Sequence, residues 1–437
     1  MTERRIVGTT ILCRPGEMVP GEIAWSPETG RITHLGPARG PAGPDDLDGS
    51  GRLVLPGLVN AHTHAGMGLL RGVSDDLPLA TWLRRVRESE VRMTAGDVRA
   101  GLRLALAEML RTGTVGFVDM FAWTPDLLGD VLAAGLRVNA APAVFGYDGV
   151  AFPAAWDVTG AEVLDGVPAL AAAVGGEPRV TVSYGLHAPY TCPPEMIRDV
   201  ARRRAVDGVG VHIHLSETRR EVEESVRRHG VSPVRLVADL GLLAGRTHVA
   251  HAVHLLDGDL ELLAGEQVTV AHNPVSNLKL GAGVAPVPAL LAAGVRLGLG
   301  TDSVASNNTL DLFEELKTGS LVQRGVAEDA AVTGVDGFLA LATAGGAAAL
   351  DQGLTGALAV GAPADLVLLD VTGTTATPLG SASSFVGYAA TGADVTDVVV
   401  AGRTVVADRR CLTVDEEAAR AEVVDRAAHL RRRVSAG

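Results

Sequence analysis

Hydrophobic and polar residues follow two different patterns along this chain. In residues 1–56 and 358–437, short apolar runs such as RLVLPG and VTDVVVAGRTVVAD are separated by turns that contain Gly and Pro, as is typical of short β-strands. In residues 57–357, strand-like apolar runs alternate with longer helical runs, and the alternation repeats about eight times. This alternation predicts parallel strands joined by crossover helices and closed into a (β/α)8 TIM barrel of the α/β class.

The two strand-rich ends are expected to combine into one small β-sandwich domain. Residues 1–56 and 358–437 form this domain, and the barrel, residues 57–357, is inserted between its halves. The run VDEEAARAEVVDRAAHLRRRV predicts a helix that closes the chain. An open doubly wound sheet is the alternative for the central part, but no G-x-G-x-x-G phosphate loop follows an early strand.

Composition excludes several classes of function. Of the 437 residues, 47% are hydrophobic and 20% charged, an ordinary balance for a soluble globular protein. The net charge of −13 would repel a phosphate backbone, so we expect no nucleic-acid partner. No apolar run is long enough for a membrane span and no signal peptide is recognisable, which predicts a cytoplasmic protein without a membrane partner. The three cysteines are widely spaced and predict neither a disulfide framework nor a thiolate zinc site.

Residues suited to metal binding stand where the predicted barrel strands end. His62 and His64 close the first strand (VNAHTH), and because they are two apart on a strand, their imidazoles share a face. The strand VGVHIHLSE ends near His214, and His212 is expected deeper in the barrel as a hydrogen-bonding residue. The last strand, LGLGTDS, ends in Asp302. Barrel enzymes carry their chemistry at these C-terminal strand ends, so together these residues predict a metal site.

Two further polar residues fall at the same end of the predicted barrel. Glu217 lies three residues after His214, where the chain turns into a loop, and His251 stands at the tip of the next strand, VAHAVHL. A single histidine at a strand end is usually an ordinary polar residue, but here the pattern recurs on several strands. We therefore interpret Glu217 and His251 as parts of the same site.

The motifs PGLVNAHTH, HLSET, AHNPVSNLKLGAG and LGTDSVASNNTLDLFEELK, in this order and spacing, resemble the amidohydrolase superfamily. Within it, they resemble the cytosine-deaminase-like and chlorohydrolase-like branch, and most of all its 5-methylthioadenosine/S-adenosylhomocysteine deaminases. The resemblance extends over almost the whole chain, including GAPADLVLLD near the C-terminal domain. It implies one divalent metal ion, with Zn²⁺ expected and Fe²⁺ the alternative. The residues that match the ligands of this ion are His62, His64, His214 and Asp302, and Glu217 and His251 match residues beside the metal-bound water.

The number of metal ions follows from the lysines. Binuclear relatives bridge two ions with a carbamylated lysine on a middle strand. This chain has only Lys279, which follows the seventh predicted strand, and Lys317, which lies in the helix after Asp302. Neither stands at a middle-strand position, so we expect a single ion.

The predicted reaction is hydrolytic deamination of an amino-substituted nitrogen heterocycle. Asp302 is expected to accept the proton of the attacking water, and His251 to stabilise the charge that develops. Glu217 is expected to protonate the ring nitrogen beside the attacked carbon, which requires a pKa raised by burial or by negative neighbours. The products are an inosine-type nucleoside and ammonia when the substrate is an adenosine-type nucleoside.

The resemblance also assigns residues that bind the substrate. Glu90, in RESEVRMT, matches a glutamate that binds ribose hydroxyls, and His187, in YGLHAPYTCP, matches a histidine that contacts the nucleoside. Trp82 is expected to form a wall of the pocket, and Glu217 to contact the purine. The alternative for Glu90 is an exposed helix charge, because arginines surround it.

This chain departs from its relatives in one segment. Those relatives carry arginines after the third strand, whereas residues 138–178 contain no Lys or Arg, and Pro142 stands near one expected arginine. We therefore expect a neutral substrate such as adenosine, 5'-deoxyadenosine or methylthioadenosine in preference to S-adenosylhomocysteine. Four aromatic residues are candidates to line the pocket for an apolar group: Phe145, Tyr147, Phe152 and Trp156.

Other functions fit the same scaffold. A guanine, 8-oxoguanine or cytosine deaminase and a triazine-type chlorohydrolase would use nearly the same residues, and Glu90 with His187 favours a nucleoside. A non-catalytic scaffold would be expected to lose metal ligands, yet every expected position is filled. The sequence leaves open whether the chain forms a homo-oligomer.

Overall fold

The computed structural model describes residues 3–44 and 46–435. Residues 1, 2, 45, 436 and 437 of the predicted β domain lie outside the described residues. The strands are β1 (Arg4–Arg14), β2 (Glu17–Ser26), β3 (Arg31–Gly36), β4 (Leu47–Asp48), β5 (Arg52–Pro56), β6 (Leu58–Thr63), β7 (Thr114–Phe121), β8 (Arg137–Val144), β9 (Val180–Leu186), β10 (Gly210–Leu215), β11 (Thr247–His251), β12 (Val268–His272), β13 (Arg296–Leu299), β14 (Leu366–Asp370), β15 (Val395–Val400), β16 (Arg403–Ala407) and β17 (Arg410–Cys411).

The helices lie mainly between the strands of the central region. They are α1 (Leu79–Glu90), α2 (Ala95–Arg111), α3 (Pro125–Ala134), α4 (Gly160–Ala173), α5 (Pro194–Asp207), α6 (Arg219–His229), α7 (Pro233–Asp239), α8 (Asp259–Leu263), α9 (Pro274–Lys279), α10 (Val287–Ala292), α11 (Leu312–Ala327), α12 (Val335–Ala340), α13 (Gly346–Leu350), α14 (Ala382–Tyr388) and α15 (Glu416–Ser435). Within the described residues, no helix combines the length and the apolar character needed to span a membrane.

The central strands form the predicted barrel. β6 to β13 pair in chain order, and every pair of neighbours is parallel. A parallel bridge between Thr63 and Asp302 joins the first strand to the segment that follows the last one. Strands β6, β7, β8, β10, β11 and β12 are buried along their whole length, as expected for strands covered by helices outside and packed side chains inside.

Short polar residues define where the barrel helices begin. The side chains that accept hydrogen bonds from the first-turn amides of α2, α3, α4, α6 and α7 are Thr94, Thr124, Thr159, Thr218 and Ser232. Such caps satisfy amides that have no partner within the helix, so each helix starts at a defined residue.

The strands from both chain ends form one mixed sheet, in the order β17-β16-β15-β14-β5-β1-β2-β3, with β4 beside β1. The two ends of the chain meet where β5 pairs antiparallel with β14. The sheet curves so that strands distant in its order come together. The indole Nε1 of Trp25 in β2 donates a hydrogen bond to the carbonyl of Gly402, 2.9 Å away, in the turn between β15 and β16. The predicted fold class, a (β/α)8 barrel with a small β domain from both chain ends, is confirmed.

The predicted C-terminal helix is α15, and it packs against the barrel helices α1 and α2. Asp97, which is 1% exposed in α2, pairs with Arg426 and Arg433 of α15. The same carboxylate forms the capping box of α2 with Thr94. One buried acidic residue therefore caps the start of α2 and binds α15 through two arginines.

Candidate active site

Four histidines and one aspartate converge at the C-terminal end of the barrel. Ligand atoms of His62, His64 and Asp302 lie within 4.8 Å of one another, and so do those of His62, His214 and His251. A carboxylate oxygen of Asp302 lies 3.2 Å from Nε2 of His64 and 3.5 Å from Nε2 of His62. The structure thus brings together all four residues predicted as metal ligands. It also places His251 within 4.8 Å of the ligand atoms of His62 and His214.

Each imidazole is oriented by a hydrogen bond at its Nδ1 atom. The partners are Nε2 of His212 for His62 (3.0 Å), the carbonyl of Met120 for His64, the carbonyl of His187 for His214 (2.6 Å) and Oδ1 of Asn277 for His251 (2.9 Å). Partners of this kind fix the ring and its tautomer so that Nε2 is left for a metal ion. His212 lies beneath the cluster as a hydrogen-bonding residue, as its position in the strand predicts.

The donor set fits a divalent cation. Burial lowers the pKa of His62 to about 3 and that of His214 well below its ordinary value, so both imidazoles are neutral, the form that binds metals. Nε2 of His62 is buried and has no hydrogen-bond partner among the described residues. Burial raises the pKa of Asp302, but the nearby imidazoles of His62 and His64 outweigh this effect and hold the pKa well below its ordinary value, so the carboxylate stays ionised.

Asp302 is held from behind by hydroxyl groups. Its Oδ2 accepts hydrogen bonds from Oγ of Ser276 (2.6 Å) and Oγ of Ser306 (3.0 Å), which leaves Oδ1 facing the histidines. Its backbone has a φ of +59°, and that of His251 has a φ of +79°, both in the left-handed region. Such backbone strain is found at functional sites that the surrounding structure holds in place.

Glu217 lies beside the cluster, with its Oε1 3.9 Å from Nε2 of His251. It is 6% exposed, and burial raises its pKa, with a further rise from Asp302 and an opposing effect from His251. The raised pKa is what a carboxylic acid that donates a proton requires. The backbone amides of Glu217 and Ser216 both donate to the carboxylate of Glu221, at 2.8 and 2.9 Å.

A cavity of about 300 Å³ opens beside His64. Its lining includes Trp82 and Glu90 of α1 and His187 at the end of β9. The side chain of Glu90 is only 13% exposed, so the alternative of an exposed helix charge is wrong. The ring of His187 packs 4.4 Å from that of Phe145, between centroids, and its Nδ1 lies 2.9 Å from Oγ1 of Thr191.

The four aromatic residues predicted to line the pocket divide between two cavities. Phe145 and Phe152 line the cavity beside His64. Trp156 lines a neighbouring apolar cavity of about 400 Å³, which shares Phe121, Ala143 and Phe152 with the first. Tyr147 lines neither of these two cavities. Phe121 and Phe152, with ring centroids 4.6 Å apart, form the wall between them.

Several residues that support the site were not predicted from the sequence. Ser276 and Asn277 lie in the quoted motif AHNPVSN but received no role, and Glu221 lies four residues after Glu217. Asp119, at the end of β7, accepts hydrogen bonds from the amide of Ala65 and from the indole of Trp123, and burial raises its pKa to about 7. The signal for Asp119 in the sequence is its position as an acidic residue near the end of an apolar strand.

Both lysines lie away from the barrel strands. Lys279 is in α9 and forms an ion pair with Asp75, 2.5 Å away, and Lys317 is in α11. Neither therefore stands at the middle-strand position where binuclear relatives carry a bridging lysine.

The barrel and its imidazole–carboxylate cluster define a metal-dependent hydrolase. Residues 53–405 match the Amidohydrolase family, so this chain belongs to that family and is a hydrolase acting on C–N bonds. The resemblance found in the motifs is therefore confirmed.

Within the hydrolases of this family, the chain is similar to proteins named as deaminases of adenine nucleosides. The chain is 41% identical over 403 residues to the 5-methylthioadenosine/S-adenosylhomocysteine deaminase of Moorella thermoacetica, covering 91% of this chain and 92% of the relative. It is 37% identical to the 5'-deoxyadenosine deaminase of Methanosarcina barkeri, covering 94% of each chain. An adenosine deaminase from Xanthomonas campestris, solved with bound zinc, superposes with a TM-score of 0.91 at 32% identity over 99% of each chain.

Proposed function

We propose that this protein hydrolytically deaminates adenine nucleosides to inosine-type nucleosides and ammonia. The observation that carries the proposal is the cavity that Glu90 and His187 line together with His64, with Glu217 beside His251 of the same histidine cluster. The names of the relatives that share 37–41% identity with this chain support it, because all are deaminases of adenine nucleosides.

The residues that would hold the metal ion are His62, His64, His214 and Asp302. Imidazoles bind a metal ion in their neutral form, and three imidazoles with one carboxylate suit Zn²⁺, with Fe²⁺ the alternative. When bound, such an ion lowers the pKa of a coordinated water towards neutrality and makes that water a nucleophile. The absence of lysine from the barrel strands supports a single ion.

The protein's own side chains move the protons. Asp302, ionised and held by two hydroxyl groups, accepts a proton from the attacking water. Glu217, whose pKa is raised by burial, donates its proton to the ring nitrogen beside the amino-bearing carbon. The side chain of His251, whose Nδ1 is held by Oδ1 of Asn277, stabilises the developing charge by hydrogen bonding. Glu217 then takes up the proton of the added hydroxyl group, and the amino group leaves as ammonia with the proton that Asp302 had accepted. The C–N bond breaks as the C=O bond forms, so both carboxyl groups regain their starting states, and the net reaction consumes one water and releases one ammonia.

The cavity provides the contacts for the nucleoside. The carboxylate of Glu90 accepts hydrogen bonds from ribose hydroxyls, and His187 contacts the base or sugar. Trp82 forms a wall and is fixed by a hydrogen bond from its indole to the carbonyl of Ala305, 3.2 Å away. Because residues 138–178 offer no cation, we propose a neutral 5' group on the substrate.

A panel of nucleosides tests the proposal. Purified protein loaded with Zn²⁺ is incubated with adenosine, 5'-deoxyadenosine, methylthioadenosine and S-adenosylhomocysteine, and both ammonia and the ultraviolet shift of deamination are measured. We expect turnover of the adenine nucleosides, fastest for those with neutral 5' groups. Fastest turnover of S-adenosylhomocysteine would contradict the neutral-tail preference, and turnover of guanine, cytosine or a chlorotriazine alone would contradict the nucleoside assignment.

The proton donor is tested by Glu217→Gln. Glutamine has a similar shape but no acidic proton, so we expect turnover to fall by about 100-fold or more, since general acid–base groups contribute roughly 10²–10⁴-fold. The metal content, measured by elemental analysis, is expected to stay unchanged. Activity close to that of the unmodified protein would remove Glu217 from the mechanism.

A further inference from the structure

Arg87 is an arginine of α1 that lines the cavity beside His64. Its guanidinium connects α1 with the loop between β8 and α4 (residues 145–159), which covers the other side of that cavity. Nη2 donates to the carbonyl of Val150, 3.0 Å away, and Nη1 donates to the carbonyl of Ala151. The guanidinium carbon also lies 5.3 Å from the centre of the Phe145 ring.

The same guanidinium lies beside Glu90. Nη1 of Arg87 is 3.5 Å from Oε2 of Glu90, one helical turn further along α1. Burial raises the pKa of Glu90, and the positive charge of Arg87 is the largest influence that opposes this rise. Arg87 is the only Lys or Arg among the residues that line this cavity, and these residues all belong to the described part of the chain.

The 145–159 loop, which Arg87 contacts, is held by backbone hydrogen bonds between its own residues and the start of α4. Val150 bridges Thr159, and the amide of Gly160 donates to the carbonyl of Gly149, 2.9 Å away. Two residues of this loop, Phe145 and Phe152, line the cavity. A planar guanidinium donates two parallel hydrogen bonds from a fixed fork, which a lysine ammonium does not reproduce. One side chain thus joins the acidic residue on α1 to the aromatic residues of the facing loop.

We propose that Arg87 is a positioning residue that holds Glu90 ready for the ribose hydroxyls and latches the 145–159 loop over the nucleoside. The proposal rests on the proposed function, in that it takes the occupant of the cavity to be an adenine nucleoside. Arg87 itself touches neither the reacting carbon nor the metal ligands. Its removal is therefore expected to weaken nucleoside binding while the chemical step is retained.

The test combines Arg87 variants with substrates that have or lack ribose hydroxyls. Arg87→Met keeps the aliphatic part and removes the charge and both hydrogen bonds, whereas Arg87→Lys keeps the charge but not the fork. Arg84→Met is the matched control, because Arg84 is an exposed arginine one turn earlier in α1 whose guanidinium bonds only Thr81 among the described contacts. Adenosine and 2',3'-dideoxyadenosine are the two substrates.

We expect Arg87→Met to raise KM for adenosine by about 10-fold or more, as for the loss of a hydrogen bond to a charged group, with kcat within about threefold. For 2',3'-dideoxyadenosine, which offers Glu90 no hydroxyls, KM should rise less than about threefold. Arg87→Lys keeps the positive charge beside Glu90, so its KM for adenosine should lie close to that of the unmodified protein. Equal KM increases for both nucleosides, or none for adenosine, would overturn the role assigned to Arg87 in positioning Glu90.

Hydrogen exchange tests the latch without any substrate. In the unliganded protein, Arg87→Met and Arg87→Lys should both speed exchange of the amides in residues 145–159, while Arg84→Met leaves them unchanged. Unchanged exchange in both Arg87 variants would overturn the latch. If the unmodified protein deaminates no adenine nucleoside, the proposed function fails, yet the exchange experiment still decides whether Arg87 fastens this loop.

Discussion

Glu221 offers the sharpest test of how the structure prepares Glu217 for proton transfer. The two oxygens of Glu221 accept hydrogen bonds from the consecutive amides of Ser216 and Glu217, at 2.9 and 2.8 Å. Ser216 has a φ of +52°, a conformation that non-glycine residues rarely adopt, so these two bonds hold a strained turn. The perturbation is Glu221→Gln, which keeps the size of the side chain and replaces one acceptor oxygen by an NH₂ group.

The expected effect of Glu221→Gln on kcat follows from the hydrogen bonds of the two amides. A glutamine oxygen accepts from one amide only, and its NH₂ group then faces the other amide, so one buried N–H loses its partner. Leaving a buried donor unsatisfied costs about 1–3 kcal/mol, which corresponds to roughly 5- to 150-fold in an equilibrium constant. The turn that carries Glu217 shifts, and we expect kcat to fall by about 10- to 100-fold.

The assay measures kcat and KM for adenosine at pH 8, together with metal content. Burial raises the pKa of Glu221 to about 7, so its carboxylate is ionised at pH 8 and both hydrogen bonds are intact in the unmodified protein. Metal content is expected to remain unchanged, because Glu221 contacts none of the metal-ligand candidates. Glu223→Gln, on the exposed side of the same helix, is the control and should behave like the unmodified protein.

The reasoning is refuted if Glu221→Gln retains kcat within about twofold while Glu217→Gln abolishes turnover. That result would show that the position of Glu217 does not depend on the hydrogen bonds to Glu221. A loss of metal from the variant would equally contradict the argument, because the fault would then lie in the histidine cluster.

Two further predictions concern the metal site and the barrel wall. Ser276→Ala removes the shorter hydrogen bond to Asp302, and we expect metal affinity, measured by chelator competition, to fall by about 10- to 100-fold, whereas unchanged affinity would show that the hydroxyl does not orient the carboxylate. Gly345→Ala places a Cβ 1.7 Å from the carbonyl oxygen of Leu297, and we expect it to lower the free energy of unfolding by about 3 kcal/mol or more. Gly325→Ala, a helical position with open space around it, is expected to raise that free energy by about 0.5–1 kcal/mol, and denaturant unfolding that ranked the two variants the other way would contradict the packing argument.

The metal-site geometry was largely predictable because it depends on local periodicity. Two residues two apart on a strand share a face, so the spacing of His62 and His64 alone predicts that both imidazoles point to the same side of the strand. The C-terminal ends of parallel barrel strands meet at one rim, which brings His214 and Asp302 to the same place. The fold class followed from the same alternation of strands and helices.

The supporting residues were not predictable because they depend on helix rotation and loop path. Glu221 lies in α6, and nothing in the letters RREVEE indicates that its carboxylate turns back towards the amides of Ser216 and Glu217. Arg87 looks like one of several charges on α1, and only the path of residues 145–159 brings two carbonyl oxygens to its guanidinium. Tyr147 and Trp156 show the same limit, since their neighbours depend on how that loop folds.

The pairing of β5 with β14 has a consequence for how the polypeptide is made. Strand β5 ends at Pro56 and β14 begins at Leu366, so 309 residues, most of them in the barrel, must be synthesised before the second neighbour of β5 exists. At translation rates of about 5–20 residues per second, this delay lasts roughly 15–60 s. Throughout that time the unpaired edge of β5 can pair with a strand of another nascent chain. A truncated product that ends before Leu366 keeps this edge unpaired and is therefore expected to aggregate.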